Sequence, residues 1–201
     1  KGCGGILFIF KKHFQFDMQR SKKRLTSSML HIGCGKDKTL GSIGIDINPR
    51  SDADIIYDLN RFPYPFTSNT FDKIIAIHII EHLDNIIKVM EELYRISKNG
   101  AKIYIASSHF SSVDSFTDPT HKHFLTSGTF DYFIPGAPLY KYSYSKSRFK
   151  KSRLWLGPEE NTGLLVKFIL NLINKNVVFY EKRFAFIFPV GIIQFELEVI
   201  K

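Results

Sequence analysis

Short apolar runs separated by turn residues dominate the first half of the chain. The runs lie at residues 30–32, 43–45, 55–57, 71–77 and 101–106. Apolar runs of this length between polar or glycine residues are typical of buried β-strands. Residues 86–96 differ, because their apolar positions recur every three or four residues, as on one face of a helix. The spacing therefore predicts a helix there, with Asp84 or Asn85 as its N-cap and Asn99-Gly100 as its stop.

The second half of the chain mixes helical and alternating patterns. Residues 126–134 favour a helix with Thr126 or Ser127 as its N-cap, and residues 162–175 favour a second helix. Residues 140–156 alternate apolar and basic side chains, which predicts a long, half-exposed strand. Residues 195–200 alternate cleanly and predict the last strand.

A pair of glycines and an acid occupy the ends of the first two predicted strands. Gly33-Cys34-Gly35 follows the first strand, and Asp46 ends the second. Glycines allow a sharp turn whose backbone can approach a ligand closely. A carboxylate on the next strand can accept hydrogen bonds from ribose hydroxyls. At the carboxyl ends of parallel strands, this arrangement predicts a nucleoside site, with Asp58 after the third strand placed to contact an adenine edge.

Several motifs in the first half resemble class I S-adenosylmethionine-dependent methyltransferases of the methyltransferase type 11 group. The matching elements are His31-Ile32-Gly33-Cys34-Gly35, Gly44-Ile45-Asp46, Asp58-Leu59, Phe71-Asp72-Lys73-Ile74 and Ile79-Ile80-Glu81-His82-Leu83. They span residues 29 to about 107. The Glu81-His82 element in that order makes the match specific.

The resemblance implies a fold, a domain organisation and a cofactor. The fold is α/β, a Rossmann-like, mostly parallel sheet with an antiparallel edge hairpin. Residues 1–28 are then a basic N-terminal segment, and residues 29–201 are one methyltransferase-like domain with an insertion or cap at about 157–193. The cofactor is S-adenosylmethionine, and S-adenosylhomocysteine is the product. The cofactor site would include His31, Gly33, Cys34, Gly35, Asp46, Ile47, Asp58, Leu59, Ile77 and His78.

The chain departs from that family in the spacing of its first strands. Gly33 and Asp46 are only thirteen residues apart, and six residues separate Ile47 from Asp54. Parallel strands normally need a crossover of about a dozen residues or more. We therefore expect shortened helices in the N-terminal half. This loss raises an alternative, a methyltransferase-like binding or scaffold protein without activity.

A polar loop, residues 108–126, follows the strand at 101–107 and carries the candidate catalytic groups. His109, Asp118 and His121 lie in it, and a carboxylate with nearby imidazoles can supply a general base. The alternative interpretation is that Asp118 caps a turn before Pro119 and that the histidines are exposed. The spacing of loop histidines alone is poor evidence for a metal, and we expect none.

The net charge of +9 is concentrated in two segments. Residues 1–30 and residues 141–153 each carry a local charge of +6, so the remainder carries −3. Such segments are either solvated faces or attract an anionic partner. Aromatic residues do not alternate with arginines in the manner of an RNA-binding module, so nucleic acid is a possible but not favoured partner.

Cysteine usage and hydropathy bear on localisation. Only Cys3 and Cys34 are present, which argues for a reducing compartment, and we expect a cytoplasmic protein. No run reaches the roughly 18 apolar residues of a membrane span.

Together these patterns predict an enzyme. We expect methyl transfer from S-adenosylmethionine to a small molecule or a glycan precursor. The inactive scaffold is the main alternative, and an RNA methyltransferase that uses residues 141–153 is a weaker one. The oligomeric state is not predicted.

Overall fold

The computed structural model describes residues 28–158 and 163–201 of the chain. Its seven strands are β1 (Met29–Ile32), β2 (Ile43–Asp46), β3 (Ile55–Ile56), β4 (Phe71–Ile77), β5 (Ser97–Ser108), β6 (Phe149–Leu156) and β7 (Ile192–Val199). Its α-helices are α1 (Ile86–Ile96), α2 (Asp114–Thr117), α3 (Leu164–Lys175) and α4 (Val177–Arg183). Three 3-10 turns lie at Ile80–His82, Asp131–Phe133 and Pro138–Tyr142.

All seven strands form a single sheet in the order β3-β2-β1-β4-β5-β7-β6. Strands β1 to β5 pair in parallel, whereas β7 runs antiparallel to both β5 and β6. This arrangement confirms the predicted α/β, mostly parallel sheet with an antiparallel edge hairpin. The strand order reverses between β1 and β4, and ligands of open α/β sheets bind outside the carboxyl ends of the strands at such a switch point.

Helix α1 forms as the sequence predicts. The Asn85 side chain accepts a hydrogen bond from the Lys88 N–H at 3.0 Å and so caps the helix N-terminus. The helix buries Met90, Leu93 and Ile96 completely against the sheet. Because its apolar face is continuous, this helix supplies much of the core of the molecule.

No helix lies between β1 and β4, a stretch that the structure describes throughout. Polar contacts hold its turns instead. The His31 imidazole Nδ1 accepts a hydrogen bond from the Thr39 N–H at 3.1 Å. The Asp54 carboxylate accepts one from the Gly44 N–H at 2.7 Å and binds the Lys38 ammonium at 2.8 Å. The prediction of shortened helices in the N-terminal half is confirmed.

Two predicted elements are wrong in extent. Residues 126–134 contain only the 3-10 turn Asp131–Phe133 instead of a helix, because their backbone N–H groups bond to carbonyls three residues back rather than four. The strand predicted over 140–156 begins only at Phe149. Phe149 pairs with Val199, the last residue of β7, so earlier residues have no strand to pair with.

Helices α3 and α4 connect β6 to β7, within the segment predicted as an insertion or cap at about 157–193. Of the predicted basic segment 1–28, all but Ser28 lies outside the described residues. Both domain assignments remain predictions. No helix in the described part of the chain is long and apolar enough to cross a bilayer.

Candidate active site

The glycine turn after β1 has the predicted conformation. Gly33 and Gly35 have φ values of +60° and +52°, which glycine adopts at little cost. A Cβ on Gly33 would lie 2.4 Å from the Ile79 side chain, so the turn packs tightly against the segment after β4. A Cβ on Gly35 would meet nothing within 4 Å. The backbone at Gly35 therefore faces open space in which a ligand can approach.

Asp46 lies beside this turn at the carboxyl end of β2. One carboxylate oxygen accepts a hydrogen bond from the Gly35 N–H at 2.8 Å, and the other accepts one from the Asn48 N–H at 2.8 Å. Each oxygen retains a second lone pair, and the residue is partly exposed. The carboxylate is thus held in place by the glycine turn and can still accept hydrogen bonds from a ligand's hydroxyls.

Cys34 and His31 are buried supports of the turn. Burial, with a smaller contribution from the Asp46 charge, raises the pKa of the Cys34 thiol to about 11. The thiol is therefore protonated at neutral pH and packs close to Gly44, where an added Cβ would lie 2.9 Å from the sulfur. Burial lowers the pKa of His31 to about 4, so its neutral ring can accept the Thr39 hydrogen bond.

Three further residues of the predicted cofactor site follow β2 and β3. Ile47 is exposed, and Asp58 accepts a hydrogen bond from the Asn60 N–H at 2.9 Å. The Leu59 side chain is buried, and its carbonyl accepts a bond from the Tyr64 hydroxyl at 3.0 Å. Contact of Asp58 or the Leu59 backbone with the adenine, and of Ile47 with the cofactor, remains a prediction.

A hydrogen-bonded pair, His78 and Glu81, follows the end of β4 at Ile77. The His78 Nδ1 lies 3.1 Å from one oxygen of the Glu81 carboxylate. Glu81 is 1% exposed, and its other oxygen has no hydrogen-bond partner among the described residues. Burial acts to raise the pKa of Glu81, but hydrogen bonds, the strongest from His78, together with the His78 charge hold it below its ordinary value. The φ of +49° at His78 is strained backbone of the kind that collects at functional sites.

The polar loop brings a second imidazole to this edge. The rings of His82 and His121 are 4.6 Å apart, centroid to centroid. The His82 Nδ1 lies 2.9 Å from the Thr120 hydroxyl, which donates its only proton to the Asp118 carboxylate at 2.6 Å. The Thr120 oxygen must therefore accept from His82, so the hydrogen-bond network assigns the proton of His82 to Nδ1. The Nε2 atom of His82 then carries a lone pair.

The same reasoning assigns the ring proton of His121. Its Nδ1 lies 3.1 Å from the Ser115 carbonyl oxygen, which can only accept, so Nδ1 carries the proton. Both rings are partly exposed, and Nε2 is the acceptor nitrogen of each ring in its neutral form. Asp118 itself is exposed, and the side-chain and backbone hydrogen bonds from Thr120 hold its pKa below the ordinary value. The structure thus brings Asp118 and His121 together, at His82.

His109 has different surroundings from the other two predicted catalytic residues. It is completely buried, and its ring nitrogens lie 2.8 Å from the Ser111 hydroxyl and 3.3 Å from the Glu181 carboxylate. Burial acts to raise the pKa of Glu181, but hydrogen bonds from His109 and Ser127 hold it below its ordinary value. His109 therefore joins α4 to the end of β5, with both ring nitrogens engaged.

Glu81, His82 and His121 also have the donor atoms of a metal site. One ligand atom from each lies within 4.8 Å of the other two. A ring proton bound to a carbonyl or hydroxyl, as in both histidines, is common in metal-binding imidazoles. The predicted absence of a metal therefore remains a prediction.

The predicted catalytic set did not include His82, Thr120 or Glu181. His82 carried a usable signal, because Glu81-His82 follows a buried strand at the carboxyl edge of the sheet. Local sequence does not point to Thr120 or Glu181, because they contact His82 and His109, which are distant in sequence.

Comparisons with known proteins agree with this geometry. Residues 30–105 match the family model described as a methyltransferase domain. Over these residues the chain is similar to a methyltransferase domain. S-adenosylmethionine is the methyl donor of these enzymes, and the open backbone at Gly35, the Asp46 carboxylate and the unpartnered Glu81 oxygen fit such a cofactor.

Solved structures share the fold at low sequence identity. A SAM dependent methyltransferase from Archaeoglobus fulgidus is 19% identical, with a TM-score of 0.58 over 96% of this chain and 94% of that one. The plantazolicin methyltransferase BpumL, solved with SAH, is 16% identical, with a TM-score of 0.57 over 100% and 87%. The [4+2]-cyclase SpnF is 12% identical, with a TM-score of 0.54 over 94% and 80%. No curated protein matches the chain. These similarities concern the fold, which hosts more than one chemistry.

Proposed function

We propose that this protein transfers a methyl group from S-adenosylmethionine to a hydroxyl group of a small molecule or a glycan precursor. A bound cofactor supplies a sulfonium methyl that a nucleophile displaces directly. The chain itself must therefore bind and align two molecules and accept one proton. Gly33, Gly35 and Asp46 would hold the cofactor at the carboxyl edge of β1 and β2.

The observation that carries this proposal is the imidazole pair of His82 and His121. Each ring has its Nδ1 engaged, which leaves Nε2 of the neutral ring as the proton acceptor, at the sheet edge where open α/β sheets bind ligands. Histidine is the side chain that most often accepts a proton in general base catalysis, which suits it to hydroxyl activation. Asp118 and Thr120 orient the His82 ring and would stabilise its charged form. We assign His82 and His121 as the proton-accepting groups.

Two aromatic rings in the same loop support an acceptor with an apolar or sugar face. Phe116 and Phe124 are both exposed, and their rings stack with centroids 4.8 Å apart. An exposed, preformed aromatic surface favours flat or partly apolar ligands. Both a small aromatic molecule and a glycan precursor satisfy this condition.

The basic segment 141–153 gives little support to the alternative of an RNA methyltransferase. The Lys151 ammonium binds the Ser127 carbonyl and the Asp131 carboxylate, so it serves the fold. Arg153 lies over the Trp155 ring, with its guanidinium carbon 5.7 Å from the ring centroid. The segment is thus partly committed to contacts within the chain.

The test is methyl transfer from radiolabelled S-adenosylmethionine to panels of hydroxyl-bearing small molecules, sugar nucleotides and RNA. We expect transfer to a hydroxyl compound. Loss of a general base typically costs 10²–10⁴-fold, so His82→Gln and His121→Gln should lower kcat by about that factor. His123→Gln is the matched control, because its Nε2 binds the Leu83 carbonyl outside the imidazole pair.

The outcomes separate the alternatives. Cofactor binding without transfer to any panel would favour the inactive scaffold. Transfer to RNA alone, with a steep fall in binding as salt rises, would favour the RNA methyltransferase. Unchanged kcat in both imidazole variants would refute the assigned proton acceptors.

A further inference from the structure

A large apolar surface projects from the β6 edge of the sheet. Residues 163–188, here called the apolar arm, comprise α3, α4 and the turn after them. Large side chains that are 57–89% exposed there include Leu164, Leu165, Phe168, Phe186, Ile187 and Phe188. Monomeric proteins rarely leave contiguous apolar patches larger than roughly a few hundred Å² open to water. Such a surface has a partner.

Helix α3 is apolar around most of its circumference. Along its length only Leu170 is buried and Ile173 and Asn174 are half-buried, while the other residues are exposed. A helix of this kind lies in a protein core or in lipid. At 12 residues it is too short to span a bilayer, and apolar segments of about 10–14 residues outside a core are typical of the membrane interface.

The charges of the arm indicate that its partner is negatively charged. Lys167, Lys175, Lys182 and Arg183 are exposed, and Glu181 is the only acid from 163 to 188. Its carboxylate is turned inward to Ser127 and His109, with 11% of the side chain exposed. We propose that the apolar arm docks the protein on an anionic membrane surface, with its aromatic and aliphatic side chains in the interface and its basic residues at the headgroups.

The charge pattern favours lipid over a second copy of the chain. Two copies packed through this face would bring their basic side chains together without acids to pair with them among the described residues. An anionic headgroup layer complements the same charges and accepts the apolar side chains without requiring a shaped groove.

The arm is rigidly joined to the domain, so docking would orient the whole molecule. The Asn174 side chain exchanges hydrogen bonds with the backbone of Leu156 on β6, at 2.7 and 2.8 Å. Leu170 packs so closely on Gly157 that a Cβ there would lie 2.6 Å from it. Glu181 joins α4 to the end of β5 at the candidate site.

The experiment is co-sedimentation of the full chain with phosphatidylcholine vesicles and with vesicles that also contain phosphatidylglycerol. We expect binding to the anionic vesicles that weakens as salt rises. Replacing two apolar side chains in Phe186→Ser/Phe188→Ser should weaken binding tenfold or more. Lys182→Gln/Arg183→Gln should weaken it about fivefold per residue on anionic vesicles. Ile56→Ser, an equally drastic change to an exposed residue on the opposite sheet edge, should leave binding unchanged.

Three results would overturn the proposal. One is the absence of binding to anionic vesicles by the folded protein. Another is binding that the arm variants do not alter, which would place the contact elsewhere in the chain. The third is a stable dimer in sedimentation without lipid that becomes monomeric in Phe186→Ser/Phe188→Ser, which would assign the arm to a second copy. None of these readouts depends on methyl transfer.

Discussion

The two halves of the sheet are stabilised in different ways. Strands β1, β2 and β3 have four, four and two residues, and polar turns connect them. Strands β4 and β5 have seven and twelve residues, and α1 covers them with a continuous apolar face. In the first half, backbone N–H groups donate hydrogen bonds to carboxylates and so fix the turns between buried strands. In the second half, a helix adds a large apolar face to the sheet.

Because of this difference, the residues that form most of the core and the residues proposed to bind the ligand lie in different halves of the sheet. The glycine turn and Asp46 belong to the half without helices, where a few polar contacts fix the positions of backbone groups. The half with α1 forms the core on which those contacts rest. The proposed cofactor edge consists of strand ends and turns, so it does not require the crossover helices.

The largest expected effect is on the half that depends on burial. Leu93 on α1 is completely buried. Leu93→Ala should lower the free energy of unfolding by about 2–5 kcal/mol through lost burial and a residual cavity. Urea denaturation measures this loss of unfolding free energy. Leu40→Ala, at a leucine that is 77% exposed in the other half, is the control and should change stability by less than about 0.5 kcal/mol.

The glycine turn offers a second contrast, between two glycines of similar φ. Gly33→Ala combines left-handed strain with a clash against Ile79, so we expect a loss of about 2–4 kcal/mol in unfolding free energy. Gly35→Ala has the strain without the clash and should lose only about 1–2 kcal/mol. Equal losses in urea denaturation would show that the contact with Ile79 is not tight.

Long apolar runs made most of the fold predictable from sequence. The β1, β4, α1 and β5 patterns gave the correct element types because burial dictates their periodicity. The alternation over 140–148 misled, because Tyr132, Tyr142 and Tyr144 stack on one another rather than on a sheet. Strand length here is set by the pairing partner β7, which local sequence does not reveal.

The sequence predicted the candidate site only where its residues lie at the ends of adjacent strands. Gly35 and Asp46 lie on adjacent strands, so their contact follows from the parallel sheet. The hydrogen-bond series from Asp118 through Thr120 to His82 depends on how the polar loop folds, because His82 and Thr120 are 38 residues apart in sequence. Glu181 reaches His109 across 72 residues, and no local pattern predicts it.

A smaller effect is expected at Asp54, which ties two connections of the short half together. The hydrogen bond from Gly44, followed by that from Lys38, lowers the pKa of Asp54 below 3.8 in the folded protein. Its contribution is therefore complete above that pH and is lost as pH falls through the lowered value. Because the group is exposed, Asp54→Asn should cost less than about 1 kcal/mol at neutral pH.

The pH series checks the assignment. The difference in urea midpoint between wild type and Asp54→Asn should shrink as the pH falls below 3.8. A difference that stays constant down to the acid transition would contradict a role for the ionised carboxylate.

Calorimetric titration with S-adenosylhomocysteine tests the central claim most directly, that the glycine turn and Asp46 still form a cofactor site. Each hydrogen bond to a charged group contributes about 1.5–3 kcal/mol, so Asp46→Ala should bind tenfold or more weakly. Asp52→Ala, at an exposed acid in the following turn, is the matched control and should bind as wild type does. Silence of the wild-type protein at millimolar ligand, or full affinity in folded Asp46→Ala, would contradict the account.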